Sequence, residues 1–137
     1  DGDDIAVRVG ELEDRQNTAT ELVTNGTYAP LDRFLGYGTK EYTEKERIHQ
    51  NYAQGWSLAY FMLKGVPLES PYAAIIPTYL RVLAETRDCQ RARQAAFEEI
   101  DLEALERDWK AFLKNSALRA RVAKSDRIAP ILPAGKP

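Results

Sequence analysis

The stretch that decides the fold runs from Thr43 to Pro67, TEKERIHQNYAQGWSLAYFMLKGVP. Within it Ile48, Tyr52, Trp56, Ala59, Tyr60 and Leu63 recur at the three- and four-residue spacing of one helical face. Thr43 is placed to cap the helix, and Glu46 three residues later completes a capping box. In that arrangement the hydroxyl accepts from a first-turn amide and the carboxylate reaches back to the cap. Gly65, Val66 and Pro67 stop the helix just after Lys64. This predicts one long amphipathic helix over 43–64.

Working outward, the segments on both sides are also helical in pattern. Ile5, Val7 and Val9 alternate as in a strand but lead into a helical pattern from Glu11, in which Leu12, Ala19, Leu22 and Val23 share a face. Asn25-Gly26 is a good helix stop, because both residues tolerate the left-handed conformation. Pro30 to Leu35 makes a single helical turn, broken by Gly36-Tyr37-Gly38. Downstream, Ser70-Pro71 reads as a cap followed by proline in the first helical position. Tyr72, Ile75, Ile76, Tyr79, Leu80 and Leu83 form the buried stripe of the helix it opens. Pro77 inside that stripe requires either a kink or a short first piece that stops before it.

A short helix over Arg91–Glu98 follows, with Ala92, Ala96 and Phe97 inward. Asp101 opens the last strongly patterned helix, lined on one side by Leu102, Leu105, Trp109, Phe112 and Leu113. Glu103 with Arg107 and Glu106 with Lys110 are spaced for ion pairs on its outer side. Beyond Asn115 the pattern fades, and Ile128 to Pro137 reads as an extended tail. The expectation is an all-α protein: an orthogonal bundle of about five helices over 1–115, with a partly irregular C-terminal extension over 116–137.

Composition agrees with one folded domain. The 137 residues are 44% hydrophobic and 29% charged, a globular rather than a disordered balance. With 19 basic and 21 acidic residues the formal charge is -2, so nothing in the overall charge calls for nucleic acid. No apolar run approaches the roughly 20 residues of a membrane span. The chain begins Asp-Gly-Asp-Asp, which carries no address to a compartment. Late in the chain Lys110, Lys114, Arg119, Arg121, Lys124 and Arg127 collect, either as a docking strip for an anionic surface or as a solvated face.

Much catalytic chemistry is missing from the residues themselves. There is one cysteine, Cys89, and one histidine, His49. No internal disulfide can form, and the pair cannot build a structural zinc site. A His-Glu-x-x-His zinc helix is absent, because Ala53 stands four residues after His49. No nucleophile elbow and no phosphate-cradling glycine loop occurs. Cys89 lies among Arg87, Arg91 and Arg93, which favour a thiolate, but a small residue at a helix start is the plainer reading. His49 is a candidate ligand or proton carrier, or simply an exposed histidine in a first turn.

The most specific stretch is Asn51 to Leu63. It resembles the Tyr-x-x-Gly/Ser helix in the C-terminal half of gluzincin-type zinc metallopeptidases. More closely, it looks like a bacterial domain-of-unknown-function family of peptidase-like proteins. There a Tyr-x-x-Ser-Trp helix leads into Phe-x-Leu, then a proline-initiated helix, an Ala-Phe element and a Leu-Glu-x-Leu-Glu-x-x-Trp helix. The same order stands here as Tyr52 to Leu63, Pro71 to Leu83, Ala96-Phe97 and Leu102 to Trp109.

The resemblance implies that Tyr52 stabilises the oxyanion of a tetrahedral intermediate, that Gly55 permits close approach to its helix, and that Trp56 flanks the site. It implies no cofactor for these residues, and zinc only for a metal-carrying N-terminal half expected before Asp1. It also implies that half as the partner. The residues by themselves equally allow a non-catalytic module that binds a peptide or protein, with Tyr28, Phe34, Tyr37 and Tyr42 lining a surface. A homodimer through the Tyr52 and Trp56 face is a further expectation.

Overall fold

The computed structural model describes residues 2–125, with side chains from residue 14 onward. The tail expected over Ile128–Pro137 and Arg127 lie outside the described residues. Eight α-helices occur among those described, with no strand: α1 Gly2–Asn25, α2 Leu31–Phe34, α3 Thr39–Tyr42, α4 Ile48–Tyr60, α5 Ile75–Thr86, α6 Cys89–Phe97, α7 Leu102–Lys114 and α8 Ser116–Lys124. A π-helical turn, Phe61–Gly65, continues α4, and a 3-10 turn, Pro71–Ala74, precedes α5. The protein is all-α, with short elements added to the expected set. The alternation of Ile5, Val7 and Val9 is overridden, since α1 begins at Gly2.

The 3-10 turn, α6 and α7 start where polar side chains satisfy free amides. Ser70 accepts from Tyr72 N, Asp88 from Gln90 N and Arg91 N, and Asp101 from Glu103 N and Ala104 N. Arg87 closes α5 in the left-handed region at φ 56°. Pro77 sits in the first turn of α5, where its missing N–H needs no intrahelical partner. The short piece before it is the 3-10 turn. Asn115 caps α8 by accepting from Leu118 N at 2.9 Å, and Val122 of α8 is buried. Residues Ser116–Lys124 therefore form a helix over a stretch where periodicity gave little signal.

The capping box expected at Thr43 and Glu46 does not form. Residues Thr39–Tyr42 take up a helical turn of their own, and the Thr43 hydroxyl donates to Thr39 O at 2.6 Å. Thr43 thus ends α3 rather than opening α4, which starts after Arg47 without a side-chain cap. The outer ion pairs also differ. Glu106 and Lys110 approach at 3.8 Å as expected, but Arg107 turns to Asp108, at 3.4 Å, instead of Glu103.

The core is built on α7. Trp109, Leu105 and Leu113 are completely buried and Phe112 nearly so, joined by Ala19 and Val23 of α1, Leu31 of α2, and Leu58, Phe61 and Met62 from α4 and its π turn. Gly65 closes the π turn against this core: a Cβ there would stand 3.0 Å from Phe61 Cδ1 and 3.1 Å from Phe112 Cε1. α5 packs mainly on α6. Of the stripe expected to be buried on α5, only Ile75 is fully so, while Ile76 and Tyr79 pack partly on the core.

α4 buries the side opposite to its apolar pattern. At about 3.6 residues per turn, Asn51, Gln54, Ser57, Leu58 and Phe61 fall on one side, and all five are buried. Ile48, Tyr52, Trp56, Ala59, Tyr60 and Leu63 fall on the other; Tyr52 is exposed and the rest are half-buried. Three polar side chains face inward because each satisfies something that no backbone ladder reaches. Gln54 clamps Ala29, accepting its N–H at 3.0 Å and donating to its carbonyl at 2.6 Å. Ser57 Oγ accepts the indole N–H of Trp109 at 3.0 Å and donates to Gln54 O. Asn51 Nδ2 donates to Glu41 O and Tyr42 O at 3.3 and 3.0 Å.

The clamp sets an expected outcome. Gln54→Leu keeps the volume but strands both backbone groups of Ala29, so the unfolding free energy falls by about 2 kcal/mol. Urea denaturation reads this as a lower midpoint with an unchanged slope.

Candidate functional site

The α4 residues of interest are presented outward from the helix just described. Tyr52 is 42% exposed, against the burial of most large apolar side chains in the chain. Its ring stands edge-on to Tyr42 of α3, with centroids 5.2 Å apart and planes at 73°. Tyr42 leans in turn on Phe34 of α2, at 5.8 Å, and Phe34 on Tyr37, at 5.4 Å. The Tyr52 hydroxyl makes no hydrogen bond within the described residues. An edge-to-face pair fixes the ring without engaging the hydroxyl, so Tyr52 carries a donor at the surface on a supported ring.

Trp56 lies one turn further along. It is half-buried and stacks on Tyr60, with centroids 5.1 Å apart and planes at 24°. Tyr60 reaches Phe112 at 6.3 Å and so ties this outer side to the core. Gly55 lies beneath Tyr42: a Cβ there would stand 2.7 Å from Tyr42 Oη. At Gly55 it is the Tyr42 side chain of this chain that comes close to α4. His49 is exposed in the first turn of α4 and forms no hydrogen bond within the described residues. The structure places Tyr52, Gly55 and Trp56 along one stretch of α4, with His49 exposed in its first turn.

The phenols of this region are perturbed mainly by burial. Burial pushes the Tyr42 phenol above its ordinary value, the neighbouring Tyr52 adds to the rise, and Arg15 opposes it. Burial likewise raises Tyr60, against a hydrogen bond with Gln16. Of the other aromatics expected as a lining, Phe34 is buried, and Tyr28 is turned inward against Trp109 with its hydroxyl donating to Glu106 at 3.0 Å.

The late basic strip divides in the same way. Lys110 lies 5.0 Å from the centre of the Tyr28 ring and donates to its hydroxyl at 2.9 Å, whereas Lys114, Arg121 and Lys124 are exposed. Glu106 explains part of the Leu-Glu-x-Leu-Glu-x-x-Trp motif in structural terms. Its carboxylate accepts the Leu31 amide at 2.8 Å as well as the Tyr28 hydroxyl. That motif thus binds α7 to the α1–α2 connection.

Among the described residues no three His, Cys, Asp or Glu side chains gather so as to hold a metal ion. No described helix is long and apolar enough to cross a membrane. Shallow concavities of about 300 to 350 Å³ lie among the described residues, and these are not lined by Tyr52, Gly55, Trp56 or His49. The one with the most apolar floor lies between Phe61, Val66, Phe112 and Leu118, and at its rim Tyr72 donates to Asp108 at 2.8 Å. Pattern reading missed this pair. It also missed Asn51, Gln54 and Ser57, whose polar character suggests an outward position.

Comparison with known proteins yields no matching family, and neither a curated protein nor a solved structure matches the chain.

The Tyr72–Asp108 pair has a measurable consequence. Burial first, and then the carboxylate that its hydroxyl meets, push the Tyr72 phenol from 10.0 up to about 12. The folded state then keeps a proton that the unfolded chain releases. This group's contribution to stability is complete below pH 10 and is lost as the pH rises through about 12. Alkaline titration by tyrosinate absorbance should show a phenol ionising near pH 12 that vanishes in Tyr72→Phe and moves down in Asp108→Asn.

Proposed function

We propose that this chain is the helical module of a zinc-metallopeptidase-like protein, forming one wall of a cleft whose metal-carrying part is a separate segment. The observation that carries the reading is the Tyr52 side chain, which is exposed on α4, has its ring supported by Tyr42, and forms no hydrogen bond among the residues whose side chains are described. A phenol there can donate a hydrogen bond to an oxygen on which negative charge develops, and it needs no change of its own protonation state to do so. The order of motifs along the chain supports the same assignment, from Tyr52 through Pro71 and Ala96-Phe97 to Trp109. Trp56 and Tyr60 would form the apolar ground beside the donor. In this reading the module contributes a cleft wall and an oxyanion donor and is not catalytic alone.

The test belongs in the protein that joins this module to a His-Glu-x-x-His segment. There Tyr52→Phe should lower kcat on a peptide substrate about a hundredfold with little change in KM, as expected for one lost oxyanion donor. A parent gene without such a segment ends the catalytic version.

A second reading is favoured by the exposure of Tyr52 beside the stacked Trp56 and Tyr60 rings. It takes the chain as a non-catalytic module that binds a peptide or protein partner through this face, a second copy of itself included. Light scattering on the isolated chain should then show concentration-dependent dimerisation. A clean monomer at high concentration counts against self-association.

A further inference from the structure

We infer that Tyr42 is a positioning residue for Tyr52, and that Asn51 and Gly55 on either side of Tyr52 exist to seat it. The two contacts act on opposite ends of the same residue. Asn51, buried in α4, holds the backbone of Tyr42 by donating to its carbonyl at 3.0 Å and to that of Glu41 at 3.3 Å. Gly55, one turn on, leaves the hollow in which the far end of the ring rests. Between them Tyr42 presents its ring to Tyr52 in the edge-on geometry that aromatic pairs prefer.

Phe34 and Tyr37 back the arrangement, so a row of four rings runs from Tyr37 in the turn through Phe34 of α2 and Tyr42 of α3 to Tyr52. Without Tyr42, an exposed tyrosine on a helix is free to exchange rotamers. With it, the hydroxyl is kept in one place, as a preorganised donor requires. This assigns a physical purpose to the glycine three residues after Tyr52. Its small size serves another side chain of the same chain rather than a substrate.

The distances at Gly55 supply a sharp test. An added methyl would meet Tyr42 Oη at 2.7 Å, but it would meet the ring carbon Cζ at 3.7 Å and Phe34 Cζ at 3.5 Å, both ordinary contacts. The hydroxyl oxygen alone creates the conflict. Gly55→Ala should therefore displace Tyr42, Tyr42→Phe should leave the ring in place, and the double variant should restore the arrangement. A glycine that merely weakens the helix would behave otherwise, since alanine is the better helix former whatever stands at position 42.

The readout is the ring signals of Tyr52 in proton–carbon spectra of the tyrosine-labelled chain, assigned by their loss in Tyr52→Phe. Expected are a displacement in Gly55→Ala, near-native positions in Tyr42→Phe, and recovery in the double variant. Signals that stay put in Gly55→Ala, or stay displaced in the double variant, overturn the inference. The functional meaning of the placement rests on the oxyanion reading of Tyr52, but the spectra need no metal, substrate or partner. If Tyr52→Phe leaves hydrolysis intact while the spectra behave as expected, the oxyanion reading falls and the placement stands. If the spectra fail, the placement falls whatever hydrolysis does.

Discussion

The indole N–H of Trp109 and the hydroxyl of Ser57 meet at 3.0 Å in the centre of the protein, both completely or almost completely buried. A tryptophan of that size can be fully enclosed only if its one polar atom finds a partner. Ser57 provides it, and Ser57 is on the α4 side that also carries Gln54 and Asn51. Once Trp109 is in the core, the rotation of α4 follows. The side bearing the serine must face α7, and the side bearing Tyr52 and Trp56 must face away.

The other inward polar groups reinforce that rotation. Gln54 supplies the hydrogen bonds that Ala29 lacks in the connection between α1 and α2, and Asn51 does the same for the end of α3. Irregular segments leave backbone donors and acceptors free, and burying them unpaired costs more than burying a satisfied amide side chain. Glu106 plays the corresponding part from α7, taking the Leu31 amide and the Tyr28 hydroxyl. The short, loop-rich stretch over 26–47 is thus tied down from two long helices by side chains.

Different parts of the protein were legible in the sequence to different degrees. The starts of the 3-10 turn and of α7 could be read at Ser70 and Asp101, because a cap depends on a few neighbouring residues. The buried stripe of α7 could be read as well, since its large apolar residues Leu105, Trp109, Phe112 and Leu113 recur at helical spacing and are all buried. α8 was missed because only Val122 is fully buried there and the cap at Asn115 is an isolated signal. The box at Thr43 misled because the same threonine can also end a preceding turn, and periodicity says nothing about which neighbour wins. Tyr52 could be singled out from its motif, but its support by Tyr42 could not. That contact joins two elements separated by a turn, and it depends on a glycine whose pattern reads equally well as plain helix.

By itself the sequence determined the helical class and the inner side of α7. It also excluded a zinc helix or a cysteine pair within these residues. These follow from local spacing and from residue counts. The tertiary structure alone decided which side of α4 faces in. The hydrophobic pattern favoured Tyr52, Trp56 and Tyr60 for the interior, and the need to pair the Trp109 indole and the backbone groups of Ala29 and Tyr42 turned the helix the other way. An unpaired buried polar group costs about as much as an aromatic ring gains by moving from half to full burial. With several such groups on one side, hydrogen bonding outweighed the apolar stripe and left Tyr52 at the surface.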